Sequence, residues 1–408
     1  MKVALFTETY LPYINGVVTH VKILKEGLEK LGHEVLVVTA DTNAKRHYIR
    51  DGILHCPAKS FKRFYGYGLA TPVSSTRLKL IKRFNPDIIH IHNEFGIGFS
   101  GAMIAKILKI PLVYTLHTMY DDYLYYVAPK PFIPIVKKTS HKYAGFLARN
   151  AAELTGPSKK VEEFFKSCGI DKDVSVIPNP VELDIFLPHN IDEAKKAAFR
   201  KHYGISDETM LVCFCGRLGR EKSVDVLLEY WAKTVKPEDD MKLLIIGGGP
   251  SEEELRELAK SLKIDNMVIF TGKVEHDELP PYYASCDLYI TASLSDTNSI
   301  SMLEAMATGL PVLHRYDPLN EGQVKSGING YIYNSPEEMY HYLNVFKNQS
   351  PEEKEAFRES VRQSVNQAGS ENLANYLITV YTKAYQDVLR DKTKKKSKVK
   401  PVKKKIKK

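Results

Sequence analysis

The chain has 408 residues, 43% of them hydrophobic and 26% charged, a composition that suits two or three globular domains and excludes wholesale disorder. No apolar run approaches the ~18 residues of a membrane span, and MKVALFTETY passes from one lysine straight into a strand pattern, so the start reads without a secretory signal. The net charge of +9 is uneven: residues 1–170 carry 24 Lys/Arg against 13 Asp/Glu, residues 171–390 carry 23 against 35, and residues 391–408 hold eleven Lys and one Asp, which implies an anionic partner for one side of the molecule.

In chain order, VALFT (3–7) predicts a strand and VVTHVKILKEGLEKLG a helix, with Val17, Val21, Leu24, Leu28 and Leu31 on one stripe and a stop at Gly32. HEVLVVTA, PDIIHIHN (86–93) and LVYTLHT predict further strands, with a helix through AMIAKILK before the last of these. An equivalent series begins near residue 209: strand MLVCFCGRL, helix VDVLLEYWAKTV, strand KLLIIGGG, helix EEELRELAKSLK, strand NMVIFTG, helix LPPYYASC, strand DLYITA, helix SISMLEAMATG and strand PVLHR. Strand, helix and strand in succession imply parallel pairing with right-handed crossovers, hence an α/β chain of two Rossmann-like, doubly wound domains. The expected units are residues 1–175, a two-proline linker 176–188, residues 189–370, a closing helix 371–390 that packs back toward the first domain, and a Lys-rich tail 391–408 with too few apolar residues to pack, expected to be disordered. Two such sheets facing each other leave a cleft at the strand C-termini, where ligands of these folds bind. Cys56, Cys168, Cys213, Cys215 and Cys286 are scattered and mostly lie in apolar strands, which reads as free thiols in a reducing compartment.

Several motifs fall at those strand ends. GGGP (247–250) follows a strand and opens a helix; it lacks the spacing of a dinucleotide fingerprint or a P-loop, so a tight turn competes with a phosphate contact. In FCGRLGREKSVDVLL, Arg217 ends a strand and Lys222 stands five residues on at a helix start, two cations beside a positive helix end that suit a diphosphate. In ITASLSDTNSISMLEAMATGLPV, Glu304 interrupts the apolar stripe of Ile300, Leu303, Met306 and Ala307, where an acid needs a partner; a ribose diol fits. Asp296 reads either as a ligand contact or as a helix N-cap, and the backbone N–H groups of Thr297 to Ser301 can hold phosphate or sugar oxygens. Gly16 lets backbone approach a ligand or simply turns, and His117 lies just past a strand end beside Tyr120, Asp121, Asp122 and Tyr123. No metal-ligand set stands out: DKD (171–173) reads as a loop.

Together these motifs resemble glycosyltransferase family 4, retaining enzymes of the GT-B fold, over about residues 1–390, in the run from VIPNPVELDIF through GRLGREKSVDVLL, LLIIGGGP and VIFTGKVEHDELPPYYASCDLYITAS to MLEAMATGLPV. Within it, the pattern Y-x-P-x-x-N-G-V at 10–17 and LHTMYDDY at 116–123 are similar to bacterial diacylglycerol glucosyltransferases. The resemblance implies that Gly16 covers the donor diphosphate, Arg217 and Lys222 neutralise it, Glu304 holds the ribose, and the residues near Val274 accommodate the base. It implies that Asp296 and the Thr297, Asn298 and Ser299 backbone hold sugar hydroxyls, with His117 near the anomeric carbon. No cofactor is implied; any Mg²⁺ would act through the donor diphosphate. The sequence departs from the family at Asp296, where Glu is usual, at Thr297-Asn298-Ser299, where a glycine-containing turn is common, and at Tyr125, where lipid-glycosylating relatives often carry His.

FKRFYGYGL (61–69) and PKPFIPIVKKTSHKYAGFLARN (129–150) mix cations with aromatics; in the second, Phe132, Ile135, Tyr143 and Phe146 can share a side flanked by Lys137, Lys138, Lys142 and Arg149. With the basic first half and tail, this predicts an anionic membrane surface, with Tyr120 and those four cations on the acceptor side. Nucleic acid is disfavoured, because the tail has neither aromatic residues nor Arg to read bases. The expectation is a cytoplasmic enzyme, peripheral on the inner membrane face, that moves glucose from UDP-glucose to 1,2-diacylglycerol. The alternatives are the same chemistry on phosphatidylinositol, another glycolipid or a soluble sugar, or a catalytically weakened homologue serving as a binding or regulatory subunit.

Overall fold

The computed structural model describes residues 1–397 apart from 14, 61–67, 120, 122, 123, 188–192, 321, 366 and 367. The first sheet holds β1 (Lys2–Thr7), β2 (Glu34–Asp41), β3 (Tyr48–Arg50), β4 (Ile53–Ser60), β5 (Gly68–Ala70), β6 (Ile88–Ile91), β7 (Leu112–Thr115), β8 (Glu153–Gly156) and β9 (Val174–Val176). Its order is β3-β4-β2-β1-β6-β7-β8-β9, with β5 on β4, and it is parallel except at β3 and β5. The second sheet, all parallel, holds β10 (Met210–Cys215), β11 (Met241–Ile246), β12 (Val268–Gly272), β13 (Leu288–Thr291), β14 (Val312–Arg315) and β15 (Gly330–Tyr333), ordered β12-β11-β10-β13-β14-β15. This is the α/β doubly wound architecture the alternation predicts.

Period-two alternation puts each central strand into two cores. Ala4 and Phe6 join one apolar cluster while Val3 and Leu5 join another, and in β10 Met210, Val212 and Phe214 part from Leu211, Cys213 and Cys215 in the same way. Helix Gly16–Lys30 covers the Val3–Leu5 face together with Leu373, Ala374, Leu377, Val380, Tyr381 and Ala384 of the last helix. The two helices touch so closely that a Cβ on Gly27 would lie 2.2 Å from Ser370 O. The last helix runs Ser370–Ser397, so residues 391–397, expected to be unstructured, continue it. Residues 398–408 and FKRFYGY (61–67) lie outside the described residues. All five cysteines are free thiols, four of them buried.

Lys160 locks the two sheets' halves together. Its Nζ stands 2.5 Å from Asp317 and donates to Leu294 O at 2.5 Å, with both ionic side chains 6% exposed. Asn179 adds a second link, donating its backbone N–H to Asn298 Oδ1 and its Nδ2 to Asn298 O, both at 2.8 Å.

Candidate active site

Arg217 and Lys222 follow the end of β10. Lys222 closes a 3-10 turn, Arg220–Lys222, instead of opening the helix as expected; Ser223, at φ 51°, then turns the chain into helix Val224–Thr234. Helix Ile300–Ala307 is stapled to the same strand end, since Ser301 Oγ donates to Cys215 O at 2.9 Å and Tyr289 Oη donates to that carbonyl at 3.2 Å. Cations at a strand end and a helix N-terminus therefore meet, the arrangement that accepts an anion. Each cation already has an acid: Arg217 pairs with the fully buried Glu221 carboxylate, and Lys222 Nζ lies 2.5 Å from Asp296 Oδ1. Burial alone would push the Asp296 carboxyl up, but Lys222 and a hydrogen bond from Ser293 outweigh it and hold it below the ordinary range.

The loop 296–299 is held by side chains from other segments. Asn320 Nδ2 donates to Asp296 O at 2.5 Å and Gln323 Nε2 to Thr297 O at 3.0 Å. The N-cap reading of Asp296 fails, because Ser299 Oγ caps the helix, accepting from Met302 N at 3.4 Å; three intervening residues leave Asp296 outside the first turn and free to meet Lys222. Glu304, 4% exposed, has the partner its burial requires within the protein: His276 Nε2 at 2.9 Å and Tyr283 Oη at 3.3 Å. Burial raises the Glu304 carboxyl against the His276 contact, and the hydrogen bond to Glu304 raises the His276 imidazole. Val274 is half-buried two residues before His276. The GGGP glycines answer to packing: a Cβ on Gly247 (φ 127°) would lie 2.1 Å from Gly216 O, and one on Gly249 2.4 Å from Leu218 O. They let the Arg217 loop lie against the next turn.

Across the cleft, Asn15 Oδ1 caps helix Gly16–Lys30 at Val17 N (3.1 Å) and Val18 N (3.0 Å), and a Cβ on Gly16 would stand 3.3 Å from Ile300 Cδ1. Two helix N-termini thus face each other. One turn further, His20 packs edge-on against His117, ring centroids 4.6 Å apart, and His117 O accepts from Thr297 Oγ1 at 3.4 Å. His92 Nδ1 is 3.0 Å from His117 Nε2. Burial pushes His92 and His117 well below the ordinary imidazole value, and pushes His20 down to about 4 against the opposing hydrogen bond to Asn179. The structure brings Gly16, His117, Arg217, Lys222, Asp296, Thr297, Asn298, Ser299 and Glu304 to one cleft. Asn298, however, uses its Oδ1 and backbone carbonyl on Asn179.

Helix Ile133–Asn150 carries the other set. Lys137, Lys138, Lys142 and Arg149 line one groove of about 510 Å³ with His141, while Phe132, Ile135 and Phe146 stand 56%, 63% and 38% exposed beside it. Tyr143 departs from that expectation, packing into the core and donating its hydroxyl to Glu94 O. It sits where the helix turns inward with the buried Ala144, Gly145, Leu147 and Ala148. Lys137 and His141 both bind Asp121 at 2.9 Å, tying this helix to the loop after His117; Tyr120, Asp122 and Tyr123 lie outside the described residues. Among the described residues no helix is long and apolar enough to cross a membrane.

Sequence reasoning missed His20, His92, Asn179 and His276; it singled out Tyr125 only as a departure from the relatives, whereas its hydroxyl donates to Glu221 Oε2 at 2.8 Å and so touches the partner of Arg217. The H-x-H of IHIHN at a strand end was the one available signal for the histidines.

Residues 14–185 match the family described as Glycosyltransferase Family 4 and residues 195–364 the one described as Glycosyl transferases group 1. The alpha-monoglucosyldiacylglycerol synthase of Streptococcus pneumoniae is 33% identical over 82% of this chain and 75% of its own length. The synthase of the same name from Acholeplasma laidlawii is 32% identical over 86% and 89%. Among solved structures, Anabaena HepE in complex with UDP superposes at a TM-score of 0.70 with 18% identity, covering 94% of this chain and all of its own.

Proposed function

Since the chain belongs to glycosyltransferase family 4 and is a nucleotide-sugar-dependent glycosyltransferase, we propose that it transfers glucose from UDP-glucose to the free hydroxyl of 1,2-diacylglycerol, forming an α-glucosyl lipid at the inner membrane surface. The observation that carries this reading is the paired set of Arg217 and Lys222 beside the start of helix Ile300–Ala307. Its counterpart is the one groove that gathers Lys137, Lys138, Lys142 and Arg149 next to exposed Phe132 and Ile135. The first suits a nucleoside diphosphate, the second an anionic lipid surface. Two synthases whose names specify a glucosyl diacylglycerol product, alike over most of their length, support the acceptor.

In this reading the diphosphate displaces Glu221 and Asp296 as partner of Arg217 and Lys222, Glu304 exchanges His276 for the ribose hydroxyls, and Val274 borders the base. The anomeric C–O bond to the phosphate breaks as the acceptor oxygen bonds on the same face, and the acceptor proton passes to the departing phosphate oxygen. Stabilisation of that phosphate by two fixed cations supplies the main rate term, and loss of one such contact costs about 10²–10³ in turnover.

A panel of UDP- and GDP-sugars offered with anionic vesicles containing diacylglycerol tests this. UDP-glucose alone should yield an α-glucosyl lipid. Donor hydrolysis without lipid product would move the acceptor elsewhere, and a preference for a GDP-sugar would overturn the donor.

A further inference from the structure

The histidines of the cleft have spare ligand capacity. His20, His92 and His117 each bring one ring nitrogen to within 4.8 Å of the others. Asn179 Nδ2 donates to Asn298 O, so its Oδ1 is the atom facing His20 Nδ1 at 3.2 Å. An amide oxygen only accepts, so His20 carries its proton on Nδ1 and a lone pair on Nε2. That Nε2 is buried, in a residue 2% exposed, and has no hydrogen-bond partner. An orphaned imidazole nitrogen in a buried site is costly in a protein that uses it for nothing.

His92 Nδ1 and His117 Nε2 share one proton across 3.0 Å. Two imidazole nitrogens on a tetrahedral zinc ion, with bonds of ~2.0–2.1 Å, stand about 3.3 Å apart, so an ion can replace that proton with little movement. The surroundings hold the rings in place: His90 is committed through both nitrogens, to Tyr381 Oη at 2.8 Å and Thr115 Oγ1 at 2.6 Å, and packs on His92 with centroids 4.0 Å apart. A ligand imidazole oriented by a hydrogen bond from its other nitrogen, as Asn179 orients His20, is the usual supporting arrangement for a metal.

We propose that His20, His92 and His117 form a three-imidazole site for a divalent transition-metal ion of the zinc class, and that its occupation excludes the donor sugar. The exclusion rests on the reading of His117 as a donor-sugar contact. Three neutral imidazoles with no carboxylate favour Zn²⁺, Ni²⁺ or Cu²⁺ and disfavour Mg²⁺, which demands oxygen ligands. The enzyme would then be inhibited by free zinc and protected by its donor.

Co²⁺ serves as the spectroscopic probe on the full chain. Titration should raise visible ligand-field bands of a nitrogen-rich tetrahedral site, bleached by Zn²⁺ and untouched by millimolar Mg²⁺. His20→Gln and His92→Gln should each weaken Co²⁺ binding at least about 100-fold, with far-UV circular dichroism confirming that both variants fold. Binding that survives either substitution, or no such bands in the wild type, overturns the site. UDP-glucose should suppress Co²⁺ binding and UDP alone should do so far less. If Co²⁺ binding needs His20 and His92 yet ignores UDP-glucose, the metal site stands and the placement of the sugar at His117 falls.

Discussion

The donor side of the cleft and the helix Ile133–Asn150 are both rich in charge, yet they handle it differently. Arg217, Lys222 and His276 each meet a buried or nearly buried acid, and the loop 296–299 is tied down by Asn179, Asn320 and Gln323. On the helix, Lys138, Lys142 and Arg149 are exposed and stand beside exposed apolar side chains. A site that must stabilise a departing phosphate gains from fixed geometry. A surface that must meet fluid lipid headgroups needs charge and apolar area but no fixed partner.

The sharpest way to break that contrast is to cut the interlock behind the donor loop. Lys160→Met leaves the buried Asp317 without its cation, with only the Leu319 N–H and the Asn320 amide as donors, and should cost about 3 kcal/mol in urea unfolding, the low end of the usual loss when one partner of a buried pair is removed. Lys142→Met on the helix should stay within about 0.5 kcal/mol. Next in size, Arg217→Ala or Lys222→Ala should lower kcat about 10²–10³-fold with the fold retained, while Lys138→Ala should leave kcat on a detergent-dispersed acceptor near wild type. The apolar half is tested by Phe132→Ser with Ile135→Ser, which should weaken partitioning onto anionic vesicles by at least about tenfold without lowering thermal stability. An unchanged partition would end the membrane role of this helix.

The smallest effect concerns pH. His276 is raised above its ordinary 6.5 by the hydrogen bond to Glu304, and Glu304 is raised above 4.5 by burial. A group whose folded value is raised stabilises fully below its unfolded value and loses that contribution as pH rises through the folded value. Stability should therefore fall as pH climbs past 6.5, and His276→Gln should flatten that slope in thermal melts taken from pH 6 to pH 9. An equally steep slope in the variant would place the titration elsewhere.

The central strands and the helices between them were legible because β1 and β10 alternate or run apolar over their whole length. The pairs that finish the site were not. β3, β5 and β9 are each only three residues long and carry no periodic signal, so their pairing is decided by neighbours. Arg217, Lys222 and Glu304 could be read from local spacing and burial arguments, but Lys222 meets Asp296 across 74 residues and Tyr125 meets Glu221 across 96. Glu304 shows the limit well: its apolar surroundings announce that a partner exists, and only the fold reveals His276 as that partner.

The close seat of helix Gly16–Lys30 on Ser370 has a consequence for biosynthesis. One face of the first sheet is finished by residues 373–384, near the far end of the chain. During translation Val3, Leu5, Val21 and Leu24 emerge first and stay without that cover for on the order of 20–70 s, at ~5–20 residues per second. The nascent first half should therefore recruit chaperones that bind apolar surface, and ribosomes stalled after residue 175 should hold it in a protease-sensitive state that release of the complete chain abolishes.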